Sequence, residues 1–332
     1  RRDGVDMLDR GAFLMSIDTE LAWGGVHDGS FRQRENMFRE TRKAIEGLLG
    51  LLERYEIQAT WAVVGHLFHR ECAPENTVRH PEIVRPEYPW FHGDWFKDDP
   101  CSDVDASPYW YGPDIIDSIV ACRTPQEIGS HGYSHTIIGD VGCSREAFDS
   151  ELKACVALAN AWGLELKSFV YPRNSIGHLD VLEQNGFTNF RGNVARWYQG
   201  RPRPLRMVGR ALESALPVPV VAEGPRKVSG LWDLPASNFY MHRDGWGRRI
   251  PIASRTAQAD FGLRKAARER STYHLWFHPF NIASDTKGLL GGLETIFRKV
   301  QNMREQGVLE NPTMGGLADQ LNKLTEAQEL AV

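Results

Sequence analysis

The sequence predicts an α/β fold with parallel strands. Strand-like and helix-like segments alternate from residue 11 onward, and no internal repeat or low-complexity tract interrupts them. Several of the strand-like runs end in a polar residue, on the side where parallel α/β architectures bind ligands. With 332 residues, the chain can form one large α/β domain or two smaller ones.

The first half of the chain supplies three predicted strands: "AFLMSID", "IQATWAVVGHLF" and "QEIGS". Between the first two, residues 34–55 repeat apolar side chains such as Phe38, Ile45 and Leu52 at helical spacing. After the third, Ser144 is a suitable N-cap for another helix.

The second half continues the alternation. The predicted strand "LKSFVYP" precedes a helix in "GHLDVLEQNG", which Gly186 should end, and the strand "FTNFRG" follows. Two later strands, "VSGLWDLP" and "TYHLWFHPF", flank a helix predicted around residues 256–270.

Three stretches depart from this alternation of strands and helices. Residues 71–113 are rich in Pro, Gly and aromatic residues, and residues 199–227 form a Pro- and Arg-rich excursion. From about residue 313 the chain resembles a surface helix whose end is disordered.

Composition excludes some partners. A net charge of -4 provides no basic field for nucleic acid or an anionic membrane, and no apolar run reaches the length of a membrane span. Five scattered cysteines without a CxxC pair indicate reduced thiols, and "RRDGVDMLDR" has no apolar signal core. We therefore expect a cytoplasmic protein with neutral or small partners.

An acid pair ends the first predicted strand, in "SIDTELAWG". Asp18 and Glu20 are two residues apart, so on a strand they face the same way. Acids at a strand end are also common as solvated turn residues, so the pair alone does not establish a site.

A histidine pair follows "QEIGS", where His131 and His135 flank Gly132 in "SHGYSH". Two neutral imidazoles and one carboxylate are a common ligand set for a catalytic metal, with one position left open. Two loop histidines bonded to the backbone would give the same sequence.

Two further strand ends carry chemistry. In "YHLWFHPF", alternation puts His274, Trp276 and His278 on one face, and His278 precedes the Pro that ends the strand. We expect His278 to act as a general acid and His274 to be a buried, hydrogen-bonded histidine. In "FVYPRN", the turn at Arg173 could point a backbone N–H at an oxyanion.

These pieces, in this order, resemble the polysaccharide deacetylases, the NodB-homology group also called carbohydrate esterase family four. The resemblance covers roughly residues 11–300 and implies an irregular (β/α)7 barrel. It implies a barrel over residues 11–305, with residues 71–113 as an insertion or lid, and a helical tail over 306–332.

The sequence departs from the family's pattern at three positions. The commonest first motif has adjacent aspartates, whereas here Thr19 separates Asp18 from Glu20, as in Asp-x-Asp and Asp-x-Glu variants. Gly132 replaces the usual Ser or Thr, and Val170 stands where the family places an Arg before the Pro turn.

The resemblance also implies roles for individual residues. Glu20, His131 and His135 would bind Zn²⁺ or another divalent transition metal, and Asp18 would be the base. His278 would be the acid, and Arg173 would supply the oxyanion amide. The predicted substrate contacts are Trp23, Trp90, Trp95, Trp110, Tyr171 and Trp276.

The implied activity is metal-dependent hydrolysis of an N-acetyl or N-formyl group on an amino sugar or glycan intermediate. A cytoplasmic location favours a nucleotide- or lipid-linked sugar, and the sequence leaves a homo-oligomer open. The alternatives are a metal-free C–N hydrolase of a small non-sugar amide and a non-catalytic glycan-binding protein. The aromatic residues of the insertion would form a sugar-binding wall, a local minicore or an oligomer contact.

Overall fold

The computed structural model describes residues 8–194, 200–205, 207–209 and 224–330. Much of the excursion predicted over residues 199–227, and most of the N-terminal decapeptide, lie outside these ranges. Within them, no helix combines the length and the apolar character needed to cross a membrane.

The described strands form one mostly parallel sheet. They are β1 (Gly11–Thr19), β2 (Thr60–Val63), β3 (Glu127–Ser130), β4 (Ser168–Val170), β5 (Asn189–Arg191), β6 (Arg226–Val228), β7 (Leu231–Asp233), β8 (Asn238–Phe239), β9 (Thr272–Phe277) and β10 (Leu309–Glu310). Their order is β6-β7-β5-β4-β3-β2-β1-β9-β8, and β10 pairs with the start of β1. The β6–β7 pair is antiparallel.

The segment that contains β7 and β8 closes this sheet into a barrel. β7 pairs in parallel with β5, and β8 pairs in parallel with β9. Between them, Ala236 N–H donates to the Gly192 carbonyl and Ser237 N–H to the His274 carbonyl, both at 2.9 Å. Because β9 also pairs with β1, the ring runs β1-β2-β3-β4-β5-β7/β8-β9, which confirms the predicted seven-stranded (β/α) barrel.

The helices that surround the barrel follow the predicted alternation. They are α1 (Glu35–Tyr55), α2 (Pro113–Val120), α3 (Arg145–Ala161), α4 (Leu179–Gln184), α5 (Ile252–Glu269), α6 (Pro279–Ala283), α7 (Thr286–Glu305) and α8 (Met314–Leu330). The Ser144 side chain accepts a hydrogen bond from Ala147 N–H, as expected of the N-cap of α3. Gly186 follows α4 with φ of 85°, a conformation that suits glycine at a helix end.

Two elements differ from their sequence predictions. Only Thr60–Val63 of "IQATWAVVGHLF" is strand, because the chain turns into a 3-10 helix at Gly65–Phe68. That turn is buried as fully as the strand, so the apolar run continues across both and hides the boundary. The second difference concerns α8, whose first half is more buried than the surface helix predicted there, while residues 326–330 are exposed.

One side of α8 packs against the end of the barrel opposite the strands' carboxyl ends. Its buried residues include Met314, Leu317 and Leu321, which lie in a cluster with Leu14 of β1 and Trp232 of β7. The first turn is bonded to the barrel as well, since Met314 N–H donates to Thr60 Oγ1 at 2.9 Å and Gly315 N–H to Glu127 Oε2 at 3.0 Å. The apolar residues at positions i, i+3 and i+7 explain why this face is buried.

The aromatic-rich insertion packs largely on itself and on the barrel. It contains turns and isolated bridges, such as Glu71 with Asp103, rather than long elements. Trp95, Phe96 and Tyr111 are at most 1% exposed and belong to the main hydrophobic core. These three residues therefore pack in the protein interior, as part of the main core and not of a separate local one.

Candidate metal and active site

The acid pair lies at the carboxyl ends of the barrel strands. Asp18 is the penultimate residue of β1 and Glu20 follows its end, and both line a cleft of about 260 Å³. Their side chains are nearly buried, at 2% and 4% exposure. A Cβ at Gly24 would lie 2.0 Å from Glu20 Oε1, so the glycine provides the space that the Glu20 carboxylate occupies.

The histidine pair meets Glu20 in this cleft. Nε2 of His131 lies 3.4 Å from Glu20 Oε2, and Nε2 of His135 lies 3.0 Å from the same oxygen. His131 Nδ1 is 2.7 Å from the Val170 carbonyl, to which only an N–H can bond, so in the neutral ring Nε2 carries the lone pair. Burial lowers the pKa of His135, which favours the neutral imidazole that a metal requires.

These three residues fit a divalent metal ion. One nitrogen from each histidine and one Glu20 oxygen all lie within 4.8 Å of one another. His131 is in the tautomer that presents Nε2, and its hydrogen bond to a backbone carbonyl is a common support for a metal-binding histidine. Three such ligands leave one position of a tetrahedral ion open.

Glu151 of α3, which the sequence did not single out, organises the loop of the histidine pair. Its carboxylate accepts hydrogen bonds from Tyr133 N–H at 2.7 Å, Ser134 N–H at 3.0 Å and the Thr136 hydroxyl at 2.9 Å. The Ser134 hydroxyl donates to it as well. Gly132 has φ of 75°, and a Cβ there would lie 3.1 Å from Glu151, which accounts for glycine in "SHGYSH".

Arg191, at the end of β5, is the partner of Asp18. Its Nη1 and Nη2 donate to the two carboxylate oxygens at 2.6 and 2.8 Å, and both side chains are buried. Burial opposes ionisation of Asp18, but the Arg191 charge and hydrogen bonds, together with the nearby His131 and His278, hold the pKa of Asp18 below its usual value. An arginine therefore lies beside Asp18, the predicted base, although Val170 stands where the resemblance would place an arginine.

His274 supports this ion pair from inside the barrel. Its Nδ1 lies 3.2 Å from the Leu234 carbonyl and its Nε2 lies 2.9 Å from Ser16 Oγ, which also accepts from Arg191 at 3.0 Å. Burial lowers the pKa of His274 to about 3, so the imidazole is neutral. This is the buried, hydrogen-bonded histidine that the sequence predicted.

His278 faces both acids across the cleft. Its Nε2 lies 3.8 Å from Asp18 Oδ2 and 3.5 Å from Glu20 Oε1. Its Nδ1 lies 2.9 Å from Asn281 Oδ1, an acceptor that fixes the ring with Nε2 toward the cleft. Burial of Glu20 raises its pKa, but the nearby His278 and His135 outweigh this and hold that pKa well below its ordinary value.

The turn after β4 brings Arg173 to the rim of the cleft. Arg173 has φ of 55°, and the next two amides bond within the turn, Asn174 to Tyr171 and Ser175 to Pro172. Among the described residues, the Arg173 N–H has no acceptor. The Arg173 side chain donates to His27, another residue that lines the cleft. Burial lowers the pKa of His27 to about 4.

Most of the predicted substrate contacts lie elsewhere. Trp276 lines the cleft, with the Arg191 guanidinium 4.3 Å from its ring centroid. Trp23, Trp95, Trp110 and Tyr171 are at most 8% exposed, so they have almost no surface to offer a substrate. Trp90 is 44% exposed, but it stacks on Tyr88 and donates to Asp140.

Comparison with solved structures agrees with this architecture, although no protein-family profile and no curated protein matches the sequence. A putative polysaccharide deacetylase from Mycobacterium smegmatis is similar over 98% of this chain and 93% of its own, with a TM-score of 0.64 at 16% identity. A probable polysaccharide deacetylase from Pseudomonas aeruginosa PAO1 is similar over 94% and 91%, with a TM-score of 0.56 at 10% identity. The chain therefore has the fold of the polysaccharide deacetylases, the NodB-type (β/α)7 barrel.

Proposed function

We propose that the protein is a metal-dependent hydrolase that removes an N-acetyl or N-formyl group from an amino sugar or glycan intermediate. One observation carries the proposal: Glu20, His131 and His135 converge in the same cleft as Asp18 and His278. An open metal position beside a base and an acid suits hydrolysis of an amide. The fold of the two deacetylases adds support.

The metal would be Zn²⁺ or another divalent transition ion held by Glu20, His131 and His135. When bound, such an ion polarises an amide carbonyl and lowers the pKa of water. Asp18 would accept the proton of the attacking water, because Arg191 keeps its carboxylate ionised and oriented. The Arg173 N–H would donate to the developing oxyanion, a contribution of about 3 kcal/mol for one such donor.

His278 would protonate the departing amine. The Asn281 side chain accepts from His278 Nδ1–H, so the protonated ring would release its second proton, on Nε2, into the cleft and keep the one on Nδ1. Asp18 and His278 would therefore move protons on the two sides of the reacting amide.

The rim of the cleft favours an amino sugar with an anionic group. Arg34 and Arg173 line it together with Asp28, while the acids Asp18 and Glu20 lie nearly buried in the same cleft, and Trp276 provides an aromatic face. Arginine pairs well with phosphate oxygens, so we propose a nucleotide- or lipid-linked substrate in preference to a neutral polymer. All five cysteines are free, which supports a reducing compartment such as the cytoplasm.

Metal analysis combined with an amine-release screen tests the proposal. The screen should cover N-acetylated and N-formylated amino sugars in free, nucleotide-linked, lipid-linked and polymeric forms. We expect amine release that chelators abolish, metal loss at this site in His131→Ala, and an Asp18→Asn variant that keeps metal but loses turnover. Unchanged turnover in Asp18→Asn would remove Asp18 as the base.

Two other outcomes would replace the proposal. Activity on a small non-sugar amide that is insensitive to chelators would indicate the metal-free C–N hydrolase. Binding of glycans without amine release from any of the sugars, with metal supplied, would indicate a non-catalytic glycan-binding protein.

A further inference from the structure

A second group of metal-ligating side chains lies outside the cleft. It comprises His66, in the 3-10 helix after β2, and Cys72, His80 and Asp99 of the insertion. One ligand atom from each residue lies within 4.8 Å of every other. His66, His80 and Asp99 are at most 7% exposed, and Cys72 is partly buried.

The spacing of these atoms is close to that of a tetrahedral ion. Asp99 Oδ2 lies 3.3 Å from His66 Nε2 and 3.8 Å from Cys72 Sγ, and Sγ lies 3.7 Å from His66 Nε2. Zinc–ligand bonds of 2.0–2.3 Å in a tetrahedron require separations of about 3.3 Å between N and O and about 3.6 Å to S. His80 Nε2 and Asp99 Oδ2 are closer than this, at 2.7 Å. Binding of an ion would therefore require the distance between these two atoms to increase by about 0.6 Å.

The tautomer of His66 favours a cation in the centre. Its Nδ1 lies 3.2 Å from the Trp110 carbonyl, which can only accept, so Nδ1 carries the hydrogen. In the neutral ring, Nε2 then directs its lone pair at the Asp99 carboxylate. Two lone pairs at 3.3 Å repel unless a proton or a metal ion lies between them.

The hydrogen-bond partners of His80 allow the direction that a metal ligand needs. His80 Nδ1 lies 2.9 Å from the Tyr133 hydroxyl, which lies 3.0 Å from His69 Nε2. If Nδ1–H donates to Tyr133, the Tyr133 O–H donates to His69, and His80 Nε2 is free to bind an ion. In this arrangement, each hydrogen in the series from His80 through Tyr133 to His69 has one acceptor.

The hydrogen bonds to Cys72 and Asp99 also suit metal ligands. The Tyr111 hydroxyl lies 3.1 Å from Cys72 Sγ and already accepts from Ser102 N–H at 2.9 Å, so its own proton can go to a thiolate. Asp99 Oδ1 accepts from Cys101 N–H at 3.0 Å, which leaves Oδ2 for the centre of the cluster.

We propose that His66, Cys72, His80 and Asp99 bind a second, structural Zn²⁺. A thiolate and a carboxylate balance the two charges of the ion, and four protein ligands close its coordination as in structural sites. The ion joins the irregular insertion to the end of β2. Through Tyr133, whose backbone N–H bonds to Glu151, it also supports the loop that carries His131 and His135.

The experiment measures metal content and Co²⁺ spectra of the full chain. We expect about two metal equivalents in the wild type and one in His131→Ala, because that variant spares the second site. Co²⁺ substitution should give thiolate-to-metal charge-transfer absorption in the near ultraviolet, since the ligands of the cleft include no sulfur. The His131→Ala variant should keep this absorption, so the result does not depend on the proposed function.

Cysteine variants identify the sulfur ligand. Cys72→Ser should remove the absorption and one metal equivalent, whereas the control Cys122→Ser should keep both. Cys101 is the stricter control, since its Sγ lies 3.7 Å from Asp99 Oδ2, and Cys101→Ser should also keep both. Even if Cys72→Ser does not fold, a wild type without sulfur-to-cobalt absorption, or a folded His131→Ala without metal after Zn²⁺ supplementation, would overturn the proposal.

Discussion

Arg191 holds both carboxylate oxygens of Asp18 through two parallel hydrogen bonds of 2.6 and 2.8 Å. Asp18 is the penultimate residue of β1 and Arg191 the last of β5, and the two meet only because the sheet curls. A third contact, from Arg191 Nη2 to Asn174 Oδ1 at 3.1 Å, connects the pair to the turn of Arg173. The geometry fixes both the charge and the direction of the Asp18 carboxylate.

Arg191→Lys should lower kcat/KM by about 100-fold with the metal content unchanged. Lysine keeps the charge but cannot make the two parallel bonds, and a misplacement of about 1 Å costs a factor of this size. Steady-state kinetics and metal analysis check the expectation, with the exposed Arg123→Lys as the matched control. A variant with wild-type kcat/KM would show that the bidentate geometry does not matter.

The same variant should move the acid limb of the pH–rate profile to higher pH. Burial raises the pKa of Asp18 and Arg191 lowers it, with a net lowering, so a weaker partner lets the pKa rise. Since the base acts as a carboxylate, activity is lost as the pH falls through this pKa, and the loss should begin at higher pH. A profile of kcat/KM against pH measures the shift, and an unmoved acid limb would exclude Asp18 as the titrating group.

Glu20→Asp should weaken metal binding without abolishing it, and Glu20→Gln should weaken it much more. Aspartate keeps the charge but draws the carboxylate back by one methylene, about 1.5 Å, from His131 and His135. Glutamine keeps the length but removes the negative charge that the ion needs. Competition with a chelator measures the metal affinities, with the exposed Glu165→Gln as the control. Equal metal affinity in Glu20→Gln and the wild type would exclude Glu20 as a ligand.

Glu151→Ala should reduce metal affinity by about 10–100-fold and lower the thermal midpoint. The variant leaves the amides of Tyr133 and Ser134 buried without an acceptor, at about 1–3 kcal/mol each, and frees the loop of His131 and His135. Calorimetry and chelator competition measure the two effects. Glu146→Ala, at an exposed position on the same helix, should change neither the metal affinity nor the thermal midpoint appreciably. Unaltered metal affinity in Glu151→Ala would show that the loop keeps its conformation without the carboxylate.

Local patterns predict the alternating strands and helices and much of the cleft, and the resemblance to the polysaccharide deacetylases implies the barrel. Asp18, Glu20 and His278 lie at the ends of apolar runs, and the position of a strand end can be read from its own segment. The Arg191 pairing could not be read this way, because it depends on which residues of two distant strands face one another across a closed barrel. The one signal was an arginine at the end of the buried run in "FTNFRG".

The role of the aromatic insertion could not be predicted from the sequence for a related reason. Tryptophan and tyrosine serve a core as well as they serve a sugar site, and composition does not separate the two uses. Trp95 shows the difference, since its Nε1 donates to the Ser134 carbonyl at 3.0 Å inside the molecule. The same stretch contains Cys72, His80 and Asp99, three of the four residues of the second cluster, and no motif of regular spacing marks them.

Leu317→Ala in α8 should destabilise the whole barrel by about 2–5 kcal/mol, the usual cost of truncating a fully buried leucine. Leu317 lies in the cluster that joins α8 to β1 and β7, so the loss should appear as one lower unfolding transition and not as separate melting of the tail. Thermal and urea unfolding measure it, with the exposed Lys323→Ala on the same helix as the control. We expect a single transition because Thr60 and Glu127 also bond the first turn of α8 to the barrel. An unchanged main transition with a small additional one at lower temperature would instead show that α8 unfolds independently of the barrel.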